Sequence, residues 1–157
     1  MPCLIPGPQH QGTKVNTLAF TTQIHGPDES GTPFLVPVAL VDQKPLADFK
    51  TYAINLNELS RSRTEQGEHF ILTCWCGVPE CVRIDAGFTV ENHGNTIQWK
   101  TKYPDTPRTI TFSAQAYHQA VTELITRLPV EFGNARALHP KLELVPSGCE
   151  RFVQAGA

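Results

Sequence analysis

No stretch of the chain approaches the ~20 consecutive apolar residues that a membrane-spanning helix needs, so no membrane partner is expected. Methionine is nearly missing, with one residue, whereas 13 prolines and 11 glycines punctuate the 157 residues. Elements are therefore expected to be short and long helices scarce. A surplus of one charge is missing too: 13 Lys+Arg against 15 Asp+Glu leave a formal net charge of −2. That is not the basic surplus by which proteins hold nucleic acid, so nucleic acid is not an expected partner. Residues 1–8 hold no basic segment followed by an apolar one. A secretory leader is not expected there, and the cytoplasm is the expected compartment. Also absent are G-x-S-x-G, the P-loop, H-E-x-x-H and the dinucleotide fingerprint, which makes an enzyme the less expected reading.

What is present suffices for a core. Apolar residues make up 40% of the chain, including two Trp, three Tyr and eight Phe, an amount suited to one domain. The expected division is an extended arm over residues 1–13, one domain over 14–129, and an irregular tail over 130–157 packed on or near it. Within 14–25, Leu18, Phe20 and Ile24 recur with period two, as in a half-buried strand. The Gly-Pro-Asp-Glu-Ser-Gly-Thr-Pro turn of 26–33 predicts an antiparallel return over 34–41, where Pro37 points to an edge or a bulge. A short strand is expected within 50–54, and Asn57 is the expected N-cap of a brief helix over 58–63.

Residues 69–76 carry apolar or thiol groups on both faces, the pattern of a central strand. A hairpin follows, 82–91 with 96–103, around Asn92-His93-Gly94-Asn95. Its second strand puts Lys100 and Lys102 on one face and Trp99 on the other, and two such lysines suit a protected sheet edge. Residues 108–112 make another strand. Ser113 then caps a helix whose Tyr117, Ala120, Val121, Leu124, Ile125 and Leu128 form one apolar stripe. Pro129 is its expected stop. The fold class is α+β: a mainly antiparallel sheet with a C-terminal helix packed across one face.

The chemistry-bearing stretch is Cys74-Trp75-Cys76-Gly77-Val78-Pro79-Glu80-Cys81. Five cysteines, Cys3 and Cys149 included, do not close a disulfide framework, and cytoplasmic thiols are normally reduced. On a strand end Cys74 and Cys76 would share a face, and the following turn could bring Cys81 back to them. Three sulfurs suit a soft metal, with Cys74, Cys76 and Cys81 as ligands and zinc as the candidate ion. A closed zinc site needs a fourth ligand. His25, His69 and His93 are the candidates, and none stands at a standard offset. The expected reading is nevertheless the ordinary one, with no cofactor: reduced thiols, two of them buried as small hydrophobes in the strand, with zinc as the alternative.

Residues 70–81 resemble small bacterial proteins whose strand ends in C-x-C-G-x-x-x-C. In those, a hairpin with a Trp on its second strand follows, and then F-x-x-x-x-Y opens a helix. Trp99 and residues 112–117 fit those places, and the resemblance spans about 68–128. It implies one domain and a bacterial cytoplasmic origin, and carries no activity. The sequence departs from the pattern at Val82-Arg83, where a small residue is usual.

Small size, slight acidity and the lack of a catalytic motif point to a non-enzymatic bacterial protein that binds another protein. In its concrete form this is an immunity or antitoxin protein that blocks a toxin domain by surface complementarity. The first 60 residues carry five acids against three bases, and Asp28, Asp42 and Asp48 are the expected contacts to a basic partner. The alternatives are a small zinc-stabilised module and an enzyme with Cys76 or Cys81 as nucleophile.

Overall fold

The computed structural model describes residues 14–103 and 106–154; the expected arm over 1–13 lies outside them. The architecture is α+β, with antiparallel sheets and one long C-terminal helix packed against strands. β1 (Leu18–His25) and β2 (Phe34–Val41) pair antiparallel in register from Leu18↔Val41 to His25↔Phe34. Asp42 and Gln43 both take positive φ, 52° and 69°, and close a two-residue turn into β3 (Lys44–Pro45). That backbone twist is the one a tight hairpin favours.

β4 (Tyr52–Ile54) pairs with β6 (Leu72–Cys74) in a separate two-stranded sheet. β5 (Gly67–His69), β7 (Phe88–Asn92), β8 (Thr96–Thr101) and β9 (Arg108–Ser113) form an antiparallel sheet in that order. A parallel bridge from Asn16 to Phe112 ties the lead-in of β1 to the β9 edge. Gly94 opens the β7–β8 turn with φ +84°, as its place in Asn92–Asn95 predicts.

Helix α1 (Leu56–Arg61) is capped by Asn55, whose Oδ1 accepts from Asn57 N at 3.0 Å and Glu58 N at 3.2 Å. The cap thus stands two residues before Asn57, the expected one. Asn57 holds the C-terminal segment instead, donating to Gly148 O at 3.2 Å and accepting from Arg151 Nε at 2.9 Å.

Helix α2 (Ala114–Leu138) starts as expected, with Ser113 Oγ accepting from Ala116 N. Tyr117, Val121, Leu124 and Leu128 are buried along its stripe. It does not stop at Pro129. The proline forgoes one ladder bond, and docking of the next two turns on β1 offsets that loss. Arg127 donates to Phe20 O at 2.9 Å, Thr22 donates to Glu131 at 2.8 Å, and Phe132 is buried. Residues 130–138 are therefore helical, not irregular. Beyond them β10 (Glu143–Leu144) pairs parallel with β2, and Leu142, Val145, Cys149 and Phe152 enter the core.

Two further expectations are corrected. β2 is an inner strand, yet Pro37 disturbs nothing. Leu35 O accepts from Val145 N and Ala39 O from Leu46 N, so by alternation Pro37 faces that same flank, in the gap between short β10 and β3. The run 69–76 is not one central strand. It serves two sheets: His69 ends β5, Leu72 opens β6, and the chain crosses between them at Phe70-Ile71. Such a crossover buries alternate positions in two places and reads as a two-faced strand.

Leu124 is 1% exposed beneath the helix. Leu124→Ala is expected to lower unfolding free energy by about 2–5 kcal/mol in urea titrations; no measurable loss would place the stripe outside the core.

Candidate metal centre

The cysteine loop is held on three sides. Cys74 ends β6; its amide donates to Val78 O at 3.3 Å and its carbonyl accepts from Gly77 N at 2.9 Å. Trp75 anchors the loop inward: its indole N–H lies 3.1 Å from both Phe49 O and Tyr52 O, and its ring meets Phe34 and His25 edge-on or tilted. Ser147 N donates to Trp75 O at 2.9 Å from the C-terminal segment. A 3-10 turn, Pro79–Val82, then carries Cys81 back, with Arg83 left-handed at φ 63° to leave it.

The outcome is convergence. The sulfurs of Cys74, Cys76 and Cys81 all lie within 4.8 Å of one another. Cys76 Sγ and Cys81 Sγ are 3.3 Å apart. Tetrahedral zinc–thiolate bonds of ~2.3 Å place sulfurs ~3.8 Å apart, so the group could hold one metal ion with small adjustments. Cys74 is half-buried and the other two are exposed. The reading of two thiols buried in a strand is thus corrected: Cys74 is only half-buried at the end of β6, and Cys76 and Cys81 are exposed beyond it. The buried thiol is Cys149, against the amides of Asn55 and Asn57.

The electrostatics separate the pair. The Val78 backbone N–H, aided by the Cys81 and Cys74 thiols, lowers the pKa of Cys76. Cys81, hydrogen-bonded to the Cys76 sulfur, is pushed up to about 11. A cation among the sulfurs would favour the loss of their protons.

No histidine or carboxylate joins the three sulfurs among the described residues. His25 packs against Trp75 with Nε2 on Gln23 Oε1 at 3.0 Å. His69 is buried elsewhere, with Nε2 on Glu65 O at 2.8 Å and Nδ1 3.3 Å from Glu58. His93 sits in the β7–β8 turn beside Glu91.

The three acids do not gather. Asp28 and Asp42 lie beyond opposite ends of β2, whose eight residues span roughly 26 Å at ~3.3 Å each. Each carboxylate serves its own turn: Asp28 accepts from Ser30 and Thr32, Asp42 from Thr17 and Asn16, and Asp48 from Lys50 N. These bonds, from Ser30 foremost in one and Thr17 in the other, lower the pKa of Asp28 and Asp42. Asp28 and Asp42 therefore do not share one compact patch. Lys100 and Lys102 are likewise each paired, with Glu91 at 3.2 Å and Asp85 at 3.4 Å. No helix among the described residues is long and apolar enough to cross a membrane.

The supports of the loop were not foreseen. Trp75 reads as a core residue and Ser147 as tail; only the glycine directly after C-x-C hinted at a sharp backbone turn. No protein-family model, curated protein or solved structure matches the chain.

Proposed function

We propose that the protein is a small metal-binding module in which Cys74, Cys76 and Cys81 take up one thiophilic ion, zinc, as three thiolates. The observation that supports this reading is the approach of three sulfurs to within 4.8 Å of one another on one loop, braced by Phe49, Tyr52 and Ser147. Thiolate ligands select soft or borderline ions over magnesium and calcium, which want oxygen. Two exposed sulfurs leave the fourth place reachable from solvent, by water or by a side chain of a protein partner. Binding at that place would be protein recognition completed by a metal.

The test is zinc titration of the reduced, chelator-treated protein with calorimetry and thermal unfolding. One zinc per chain is expected, with stabilisation of about 2.7 kcal/mol when free zinc exceeds Kd a hundredfold. Cys76→Ser is expected to abolish uptake, because a hydroxyl is no comparable ligand, while leaving the apo fold intact at its exposed position. Lack of zinc uptake by the unaltered chain, or uptake undiminished by Cys76→Ser, would overturn the proposal.

A further inference from the structure

We propose that Cys76 and Cys81 are a reversible oxidation site: a hydroperoxide joins them in a disulfide, and this withdraws two of the three thiols from the metal centre. The disulfide itself stands on the geometry of the pair. Its effect on metal rests on the reading above.

The two sulfurs are 3.3 Å apart, and a disulfide needs ~2.05 Å, so closure asks for ~1.3 Å of movement. Both thiols are exposed, so an oxidant reaches them directly. Cys74 is the less apt partner. It is half-buried, and its backbone is fixed at the end of β6 by bonds to Val78 and Gly77. Cys149 is 1% exposed and packed under α1, away from any second thiol among the described residues. Among the described residues an oxidant thus meets one exposed pair ready to close, the half-buried Cys74 and the buried Cys149. Disulfides in reducing compartments are typically transient and regulatory, which suits an exposed pair on a turn.

The chemistry balances with the peroxide as sole oxidant. The Cys76 sulfur attacks the outer oxygen of the hydroperoxide. The O–O bond breaks, the alkoxide leaves with the thiol proton as an alcohol, and Cys76 becomes a sulfenic acid. The Cys81 sulfur then attacks the Cys76 sulfur. The S–O bond breaks, and the hydroxide leaves with the Cys81 proton as water. Two thiols have given two electrons to one O–O bond, and a dithiol reductant reverses the result.

Stoichiometric hydrogen peroxide acting on the full chain, first stripped of metal and reduced, tests the pair. After iodoacetamide quenching, trypsin releases residues 64–83 as one peptide that holds all three thiols. The expected peptide is two hydrogens lighter and alkylated only at Cys74. Three alkylated cysteines, or a disulfide that uses Cys74, would overturn the proposal. Cys81→Ser is expected to leave a sulfenic acid on Cys76 that dimedone traps; the absence of a trapped adduct would count against the proposal. A parallel sample is loaded with zinc. Oxidation about tenfold slower, with one zinc released to a chromogenic chelator per disulfide formed, is expected. Equal rates with and without bound zinc would overturn the metal-releasing half alone. A chain that never takes up zinc in the titration would remove that half with the metal reading, and the metal-free sample still decides the disulfide.

Discussion

Trp99→Ala is expected to cost about 3–5 kcal/mol of unfolding free energy, among the largest effects of any single substitution in the chain. The indole is fully buried in β8. It lies between Phe88 at 5.1 Å, Phe112 at 4.9 Å and Tyr117 at 5.8 Å between ring centroids, all edge-on. Edge-to-face pairs contribute beyond the area they bury. The indole also starts a polar chain through the core. Trp99 Nε1 donates to Tyr117 Oη at 3.1 Å, Tyr117 donates to Ser62 Oγ at 2.6 Å, and Ser62 donates to Leu59 O at 2.6 Å. The last bond fixes the direction of the others, because Ser62 has one proton to give. One side chain thereby joins the hairpin sheet, α2 and the end of α1. Tyr117→Phe separates the two contributions: the rings stay, while the indole N–H loses its acceptor, at an expected cost of about 1–3 kcal/mol. Urea titrations with unchanged m-values measure both. A Trp99→Ala loss no larger than that of Tyr117→Phe would assign the stability to the hydrogen bonds and not to the aromatic packing.

That core was largely legible beforehand, because its signals are periodic. Alternation set Trp99 inward and Lys100 outward, and Tyr117, Val121, Leu124 and Leu128 of the helical stripe are buried, with Ala120 and Ile125 half-buried beside them. Periodicity fails where the reason for burial changes along the chain. His69 and Leu72 are both buried, one at the end of β5 and one in β6, and a single-strand pattern cannot distinguish that from one central strand. Pro129 is a sound breaker locally; only the docking of Arg127 and Glu131 on β1 and the burial of Phe132, set by tertiary contact, carry α2 past it. The cysteine spacing foretold convergence because a turn follows directly after Cys76. It could not foretell that Ser147, 71 positions beyond Cys76, would form one wall of the loop.

That wall makes Gly77→Ala the second large effect, and one that couples fold to site. Gly77 has φ +91°, where an L-residue is strained by about 1–2 kcal/mol. A Cβ there would also stand 2.6 Å from Ser147 O, a backbone atom. Its segment cannot simply yield: Val145 N donates to Leu35 O at 3.1 Å, and Asn57 Nδ2 donates to Gly148 O at 3.2 Å. The loop must move instead, breaking the Gly77 N to Cys74 O bond or the Ser147 N to Trp75 O bond, both 2.9 Å. Either change carries Cys76 away from Cys74 and Cys81. The expected result is a loss of about 2–4 kcal/mol, strain and clash together, and zinc affinity weaker by at least about tenfold, since ligand placement sets affinity. Gly94→Ala is the control. It has a similar φ, +84°, but nothing lies within 4 Å of its added methyl, so it should show the strain alone and unaltered zinc binding. Paired urea and zinc titrations of the two variants decide the matter. If Gly77→Ala matched Gly94→Ala in both, the C-terminal segment would have no part in shaping the cysteine loop.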